Sequence, residues 1–215
     1  MDMEVVDVTQ ISERFRGYFP VVVDAETGGL NPRTDALLEV TAVTLAMDKQ
    51  GQLAIANTYT EHIEPFEGAN IEQASLEINH INPSHPFRVA VAKSEREALS
   101  SIFKQIKKEQ QLAACSRCIL VGHNAAFDQS FIDAAAARCN LKRSPFHPFS
   151  NFDTVSLGGL AYGQTVLARC CAAAGIDFDA NKAHSSRYDA LATAKLFCKI
   201  INNWQDAIGG SFYIS

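Results

Sequence analysis

The pattern of hydrophobic and polar residues in the first part of the chain predicts three strands. Three valines lead into an acidic residue at Pro20–Asp24, which predicts a first, buried strand after a short helical turn over residues 11–17. Residues 37–48 alternate apolar and polar side chains in the manner of a half-buried strand. Residues 51–65 predict the next strand, and the turn at Asp48–Gly51 predicts that these two strands pair antiparallel.

Helical spacing dominates the middle of the chain. Residues 94–109 carry apolar side chains with the spacing of one helical face, and Ser94 with Glu97 predicts a capping box at the helix start. Residues 118–122 form a fully apolar run that predicts another strand. A helix is expected to follow from about Phe127 to Cys139.

The last third of the chain completes an α/β pattern. Residues 151–161 fit the start of either a strand or a helix, and residues 165–175 predict a short helix closed by Gly175. The last long helix is predicted from Tyr188 to Asn203. Strands followed by helices, with helices between the later strands, indicate an α/β fold with a mixed sheet. No repeat or long linker occurs, so the whole chain of 215 residues is predicted to form one domain.

Composition narrows the class of protein. Hydrophobic residues make up 47% and charged residues 20% of the chain, as in ordinary globular proteins. No run of about eighteen apolar residues occurs and the N-terminus is acidic, so neither a membrane span nor a signal peptide is predicted. The net charge of −5 gives no general attraction to a polyanion, so a nucleic acid would have to be held by local basic clusters.

The six cysteines are predicted to be buried thiols of a protein in the reducing cytoplasm. Cys115 and Cys118 have the spacing of a zinc knuckle or a redox pair. The chain has no second pair of this kind and no histidine at a matching distance. Packing as small apolar side chains is therefore the favoured interpretation, and a zinc-dependent binding protein is the alternative.

Acidic residues at the end of the first predicted strand pose an electrostatic problem. Asp24 and Glu26 follow the three valines directly, and the period of two in a strand puts both side chains on one face. Two carboxylates so close together repel, and burying either of them without a partner is costly. Strand-end carboxylates in this setting bring no structural benefit, which favours a functional reason for them.

Further polar residues stand at the starts of two predicted helices. His123, Asn124 and Asp128 follow the second apolar strand, and His184 lies five residues before Asp189 where the last helix begins. Each aspartate alone could simply favour a helix N-terminus, where the helix dipole stabilises an anion. His184 alone could be an ordinary loop histidine.

Taken together, these residues favour a metal-dependent reaction. Four carboxylates and one histidine suit a pair of Mg²⁺ ions, which prefer oxygen ligands and would compensate the charge. Two metal ions about 4 Å apart can stabilise the attacking and the leaving oxygen of a phosphodiester displacement. A histidine beside them can accept a proton from the attacking water. A glycosidase would also use paired carboxylates, but it would leave two acids and the histidine without a role.

Three short motifs carry a family resemblance. "DAET" (24–27), "HNAAFD" (123–128) and "HSSRYD" (184–189) resemble, in order and separation, the motifs of the DEDDh 3′→5′ exonuclease superfamily. The resemblance implies a ribonuclease-H-like fold, with a five-stranded mixed sheet flanked by helices. It also implies two divalent metal ions and removal of mononucleotides from 3′ ends, with Mn²⁺ able to substitute for Mg²⁺.

Within that superfamily the chain resembles the ribonuclease T family over nearly its whole length. The segments that carry this resemblance include "ERFRGYFPVVVDAETGG", "TDALLEV", "EPFEGAN", "LKRSPFHPF" and "GQTVL". The resemblance implies a homodimer that trims the 3′ ends of structured RNAs, including tRNA, and that also degrades single-stranded DNA ends.

The resemblance also implies residue roles at the reaction centre. Asp24 is expected to contact both metal ions, and Glu26 and Asp189 to contact metal as well. Asp128 is expected at the second ion or its water shell. His184 is expected to act as the general base, and to be able to swing onto an ion when substrate is absent.

The resemblance to this family also implies aromatic side chains that wedge against the last bases of the substrate. Phe127 and Phe149 match two of the wedge positions, although core packing is an alternative for Phe127. Leu30 and Ile78 stand where phenylalanine would be expected, so a weaker or altered grip on the 3′ end is predicted.

Other contacts to the nucleic acid are expected from small and basic residues. Thr27 and the Gly28–Gly29 turn are expected to let the sugar of the terminal nucleotide approach the backbone. Basic residues are expected to bind RNA for the active site of the partner subunit, although Lys107 and Lys108 would equally suit a solvated helix face. These candidates are Arg14, Arg16, Lys107, Lys108, Arg117, and Lys142 with Arg143.

Besides the zinc-dependent binding protein, two rival functions stay open at this point. One is a DNA-directed exonuclease of the same superfamily, such as a proofreading subunit of a polymerase. The other is a non-catalytic RNA-binding module on a nuclease fold, which the presence of all five motif residues disfavours.

Overall fold

The computed structural model describes residues 4–7, 10–208 and 211–214, with side chains described over residues 10–208. Its strands and helices alternate as an α/β chain, with two short 3₁₀ turns at Ile11–Glu13 and Phe15–Gly17. The strands are β1 (Glu4–Asp7), β2 (Tyr18–Thr27), β3 (Leu37–Met47), β4 (Leu53–His62), β5 (Arg117–Gly122), β6 (Phe146–Asp153) and β7 (Ser211–Ile214). The helices are α1 (Gln73–Asn79), α2 (Pro86–Val91), α3 (Glu95–Leu112), α4 (Ala125–Arg138), α5 (Thr154–Tyr162), α6 (Leu167–Ala173) and α7 (Ser186–Ala207).

The main sheet has five strands in the order β4-β3-β2-β5-β6, which confirms the predicted mixed sheet flanked by helices. The β4-β3-β2 part is antiparallel, and β2-β5 and β5-β6 are parallel. A separate antiparallel pair joins β1 to β7, which the sequence pattern did not predict. The core lies between the main sheet and the helices, where the side chains of α3, α4 and α7 pack against β2 and β3.

Strand β2 is the central strand, and its pairing with β3 extends further along the strand than its pairing with β5. Its parallel pairing with β5 ends at Val22, whereas its antiparallel pairing with β3 continues to Thr27. Asp24 and Glu26 therefore both lie inside β2, whereas the sequence pattern predicted a strand that ends at Asp24. From Val23 onward one side of β2 is open to other parts of the chain.

Most predicted helices are confirmed with shifted ends. The capping box of Ser94 and Glu97 is present at the start of α3. Helix α4 begins two residues before the predicted Phe127, because Asn124 adopts a left-handed conformation (φ 72°) as its N-cap. The segment whose type was open is the end of β6 followed by α5. Helices α1 and α2 were not predicted, since their exposed apolar side chains do not mark a buried face.

The cysteines are free thiols, and five of them are buried, whereas Cys139 is half-buried. Burial raises the pKa of the Cys115 thiol to about 11 and that of Cys118 to about 12. In the part of the chain with described side chains, no cysteine belongs to a group of residues able to hold a metal ion. This supports packing as their role.

No helix among the described residues combines the length and the apolar character that a membrane crossing requires.

Candidate active site

Three carboxylates from two distant parts of the chain converge at the open side of β2. Asp24 and Glu26 alternate along β2 and face the same way, and Asp189 lies in the first turn of α7. One carboxylate oxygen from each of the three lies within 4.8 Å of the others. The structure therefore brings together residues from the first and the last of the three motifs.

Asp128 reaches the same region from the first turn of α4. Its Oδ1 accepts a hydrogen bond of 2.9 Å from the backbone N–H of Ala25, a donor that β5 does not satisfy at this point of β2. A Cβ added at Gly122 would lie 2.9 Å from the Cα of Ala125, so a glycine there allows α4 to start this close to β5. Asp128 thus fixes the backbone between Asp24 and Glu26, and it is not itself part of the three-carboxylate group.

His184 lies in an exposed loop immediately before α7. It has a positive φ of 64°, which for a residue other than glycine is uncommon, and its backbone N–H donates to Asp189 Oδ2 at 2.8 Å. The other oxygen, Asp189 Oδ1, is buried and has no hydrogen-bond partner among the described residues. The loop of His184 is thus bonded to the first turn of α7, while Asp189 Oδ1 is left without a hydrogen bond among the described residues.

The four carboxylates are held in an environment that disfavours their negative charge. Burial raises the pKa of Asp24 well above its usual range, and the neighbouring charges of Asp128 and Glu26 add to the effect. Burial, then the charge of Asp189, raises the pKa of Glu26 to about 8. Burial also raises the pKa of Asp128 and of Asp189. Such a cluster keeps its charge near neutral pH only if cations balance it.

These residues fit the divalent metal ions that the family resemblance implies. All ligand atoms offered are carboxylate oxygens, the donors that Mg²⁺, Ca²⁺ and Mn²⁺ prefer. A cation in the cluster would give Asp189 Oδ1 a partner and would also reduce the repulsion among the acids.

Three of the four expected wedge side chains are exposed. Leu30, Ile78 and Phe149 are 78%, 57% and 90% exposed. Phe127 is half-buried instead and packs against Phe131 with ring centroids 5.0 Å apart, which agrees with the alternative of core packing.

The glycine turn after β2 has a structural explanation in addition to the expected one. A Cβ at Gly29 would lie 2.1 Å from Asp35 Oδ2, and one at Gly28 would lie 3.0 Å from the backbone oxygen of Asn70. The hydroxyl of Thr27 donates to the backbone oxygen of Gly29 at 2.7 Å. The turn is therefore closely packed against its own protein, which holds Leu30 in place on the surface.

The expected RNA-binding basic residues differ in accessibility. Arg14 does not have the surface position that was expected: it is 5% exposed, and its guanidinium donates to the side chain of Gln205. Lys107 donates to the backbone oxygen of Arg143, which ties the end of α3 to the loop before β6. The other candidates, all at least partly exposed, are Arg16, Lys108, Arg117, Lys142 and Arg143.

A buried charge beside the site was missed in the sequence. Glu39 on β3 lies directly opposite Glu26 in the strand register and contacts His62, Arg88 and Ser186. The signal available was a single acidic residue in the largely apolar run "ALLEVTAV". An isolated charge in a buried strand needs partners, but the sequence pattern does not say which ones.

Comparison with known proteins identifies the family. The model of the RNase_T exonuclease family matches residues 21–197, which is most of the chain. The chain belongs to this exonuclease family. Ribonuclease T of Vibrio campbellii is 61% identical over 201 residues, covering 93% of this chain and 92% of that protein. Ribonuclease T of a Shewanella species is 56% identical over 207 residues, covering 96% of this chain and 92% of that protein.

Solved structures show the same fold at low sequence identity. Exonuclease I of E. coli, solved in complex with a dT13 oligonucleotide, has a TM-score of 0.65 and 16% identity, and the match covers 89% of this chain but only 42% of that larger chain. A 3′-exonuclease solved for 3′-end-specific recognition of a histone mRNA stem-loop has a TM-score of 0.66 and 15% identity, covering 92% of this chain and 70% of that chain. Members of the exonuclease family depend on divalent metal ions, and the carboxylate cluster offers the oxygen ligands that such ions prefer.

Proposed function

We propose that this protein trims the 3′ ends of structured RNAs, including tRNA, and that it also degrades single-stranded DNA ends. Membership of the RNase_T family makes the chain a 3′→5′ exoribonuclease, a hydrolase of phosphodiester bonds. The observation that carries the proposal is the convergence of Asp24, Glu26 and Asp189, with one oxygen of Asp189 left without a partner among the described residues. Such a site suits Mg²⁺, with Mn²⁺ able to substitute.

The chain's own side chains have distinct roles in this proposal. Asp24, Glu26 and Asp189 would hold two Mg²⁺ ions, with Asp24 contacting both, and Asp128 would support the second ion or its water shell. When bound, the ions stabilise the charge that develops on the attacking and the leaving oxygen. His184 takes the proton of the attacking water as general base. It is exposed, and its backbone N–H is bonded to the carboxylate of Asp189, which keeps its loop beside the cluster.

The end of the substrate is held by exposed apolar side chains in this proposal. Leu30 follows the turn after β2, Ile78 lies on α1, and Phe149 lies on β6. Phe149 offers a face on which a base can stack, whereas Leu30 and Ile78 can only wedge between bases. We therefore expect the grip on the last nucleotides to be weaker than four aromatic wedges would give.

Phosphates further along the substrate are assigned to a basic groove beside α3. This cavity of about 420 Å³ between α3 and the loop before β6 is lined by Lys104, Lys107, Lys142 and Arg143, and no acidic side chain of the described residues lines it. Since the whole chain has a net charge of −5, this local cluster is what can attract a polyanion. In a homodimer, the groove of one subunit would serve the carboxylate cluster of the other.

The free state of the cysteines agrees with the expected location in the reducing cytoplasm.

The test of this proposal is digestion of an RNA stem with a 3′ overhang, with product lengths resolved to one nucleotide. With Mg²⁺, stepwise shortening from the 3′ end that slows near the stem is expected, and chelation with EDTA should stop it. His184→Ala should lower the rate by about 10²–10⁴-fold, and Asp24→Asn should abolish it, with both variants folded by circular dichroism. Shortening without metal, or full turnover in either variant, would refute the assigned roles. Preference for a mismatched DNA primer over the RNA would favour a proofreading exonuclease instead.

A further inference from the structure

A buried polar network lies beside the carboxylate cluster and joins the sheet to the first turn of α7. Its centre is Glu39 on β3, which is 7% exposed. The strand register places Glu39 directly opposite Glu26 of β2 on one side and directly opposite His62 of β4 on the other. Residues directly opposite in antiparallel strands share a face, so these three side chains form one row on the face that carries the cluster.

Both carboxylate oxygens of Glu39 are occupied. Oε2 lies 2.6 Å from His62 Nδ1 and 3.7 Å from Arg88 Nη1. Oε1 accepts a hydrogen bond of 2.7 Å from the hydroxyl of Ser186. Arg88 is itself buried and also donates to the backbone oxygen of Leu38, so it supplies a fixed compensating charge. A carboxylate at this depth is tolerated only with such partners.

The contact with Ser186 extends into a directed run of hydroxyl groups. Ser186 Oγ lies 2.7 Å from Thr41 Oγ1, which in turn lies 2.9 Å from Thr60 Oγ1. Because the single Ser186 proton goes to Glu39, Ser186 must accept the proton of Thr41, and Thr41 can then accept that of Thr60. Hydrogen bonds aligned in this way strengthen one another, so Ser186 is held from two sides.

Ser186 stands at the position from which the reaction centre is built. It is the first residue of α7 and is fully buried. Asp189 follows three residues later and so lies on the same face of the helix, and His184 precedes Ser186 by two residues. The backbone N–H of His184 is bonded to Asp189. Whatever fixes Ser186 therefore fixes both the metal-facing carboxylate and the loop of the general base.

We propose that Ser186, held by Glu39, is a positioning residue of the nuclease centre: the Ser186–Glu39 hydrogen bond docks the first turn of α7 on the sheet so that Asp189 meets Asp24 and Glu26. This inference rests on the proposed function, because the position of Asp189 has a consequence only if the cluster holds metal.

The placement of Glu39 argues against a purely structural role for the network. A like charge directly opposite Glu26 is destabilising, and an apolar side chain at position 39 would continue the buried run of β3. Replacing buried ion pairs by packed apolar residues is often neutral or stabilising. The charge of Glu39 thus adds to the repulsion in the neighbouring cluster, which is understandable if Glu39 sets the geometry of that cluster.

Ser186→Ala tests the proposal, with Thr44→Val as the matched control. Thr44 is also fully buried, and its hydroxyl bonds the backbone of Asn57, so Thr44→Val removes a comparable buried hydroxyl on β3 away from Ser186. Mn²⁺ affinity is measured by calorimetry on the full chain without substrate. The turnover number and KM are then measured with a single-stranded oligonucleotide, and amide hydrogen exchange is followed over residues 186–190.

For Ser186→Ala we expect about tenfold weaker Mn²⁺ binding, a similar fall in turnover number, an unchanged KM and faster exchange in the first turn of α7. Thr44→Val should keep wild-type Mn²⁺ affinity and turnover even if it lowers the melting temperature equally. The positioning role is overturned if wild type and Ser186→Ala bind Mn²⁺ equally, or if Thr44→Val weakens binding as much. A wild-type protein that binds no Mn²⁺ and hydrolyses nothing would instead overturn the proposed function itself.

Discussion

Asp128 Oδ1 accepts a hydrogen bond of 2.9 Å from the backbone N–H of Ala25, beyond the point where the pairing of β2 with its parallel neighbour β5 ends. One side chain thereby completes the hydrogen bonding of the central strand and brings a fourth negative charge to the cluster. The two effects oppose each other in the metal-free protein, because the hydrogen bond stabilises the fold while the charge repels Asp24.

Two substitutions at position 128 separate these effects. Asp128→Asn and Asp128→Ala both remove the charge, but only asparagine keeps an oxygen that can accept from Ala25. The buried N–H left unsatisfied in Asp128→Ala should make it about 1–3 kcal/mol less stable than Asp128→Asn in urea unfolding without metal. Both variants should lose Mg²⁺-dependent hydrolysis. Equal stability of the two would show that water or another group replaces Asp128 at no cost.

The raised pKa values predict an unusual pH dependence for the metal-free protein. The pKa of Glu26 is about 8 in the folded protein, well above the value of about 4.3 for a glutamate in an unfolded chain. Protonation therefore stabilises the fold, an effect that is complete below the unfolded pKa and is lost as pH rises through about 8. The melting temperature measured in EDTA should therefore fall as the pH rises from about 5 to about 8, and should level off above pH 8.

Saturating Mg²⁺ should reverse this trend, because the ion binds the deprotonated carboxylates and stabilises the folded state by mass action. Glu26→Gln is the control, since a neutral amide does not titrate and the fall with pH should be shallower. A melting temperature in EDTA that rises with pH over this interval would contradict the electrostatic account of the cluster.

Several features of the fold follow from local pattern, and others depend on pairing that a pattern does not reveal. The alternation in residues 37–48 and the Asp48–Gly51 turn were sufficient to predict β3 and its hairpin with β4. The extension of β2 to Thr27 was not predictable in this way, because it depends on β3 continuing to pair after β5 has ended.

The residues of the candidate site also fall into those that a local pattern indicates and those that depend on contacts between distant segments. Asp24, Glu26 and Asp189 could be found because carboxylates next to valines or at a helix start are conspicuous in the sequence. The Ser186–Glu39 contact joins residues 147 apart and depends on strand register, so no local signal indicates it. The burial of Arg14 is similar, because its partner Gln205 lies near the far end of the chain.

Wedge side chains offer a test of substrate grip. Leu30 and Ile78 are both exposed, so Leu30→Phe and Ile78→Phe should not disturb the core. Stacking of a base on an aromatic ring contributes about 1–3 kcal/mol, so the double variant should bind a single-stranded 3′ end at least about tenfold more tightly. The dissociation constant is measured by fluorescence anisotropy in the presence of Ca²⁺, a cation that also prefers oxygen ligands. An unchanged dissociation constant would remove these positions from the substrate path.

The basic groove predicts a specific salt dependence. Lys142→Ala combined with Arg143→Ala should weaken RNA binding, and the slope of log Kd against log salt should become shallower by about 0.7 for each phosphate that is no longer neutralised. Lys49→Ala, an exposed lysine in the turn between β3 and β4, is the control for a simple change in net charge. Equal effects of the control and the double variant would mean that the groove does not bind RNA directly.

We propose throughout that acidic side chains from distant segments converge because divalent cations lie among them. Anomalous diffraction from a crystal soaked in Mn²⁺ tests it most directly. We expect two anomalous peaks within coordination distance of the carboxylates of Asp24, Glu26 and Asp189, one of them at the Asp189 oxygen that has no hydrogen-bond partner among the described residues. A well-ordered cluster without anomalous density would contradict it.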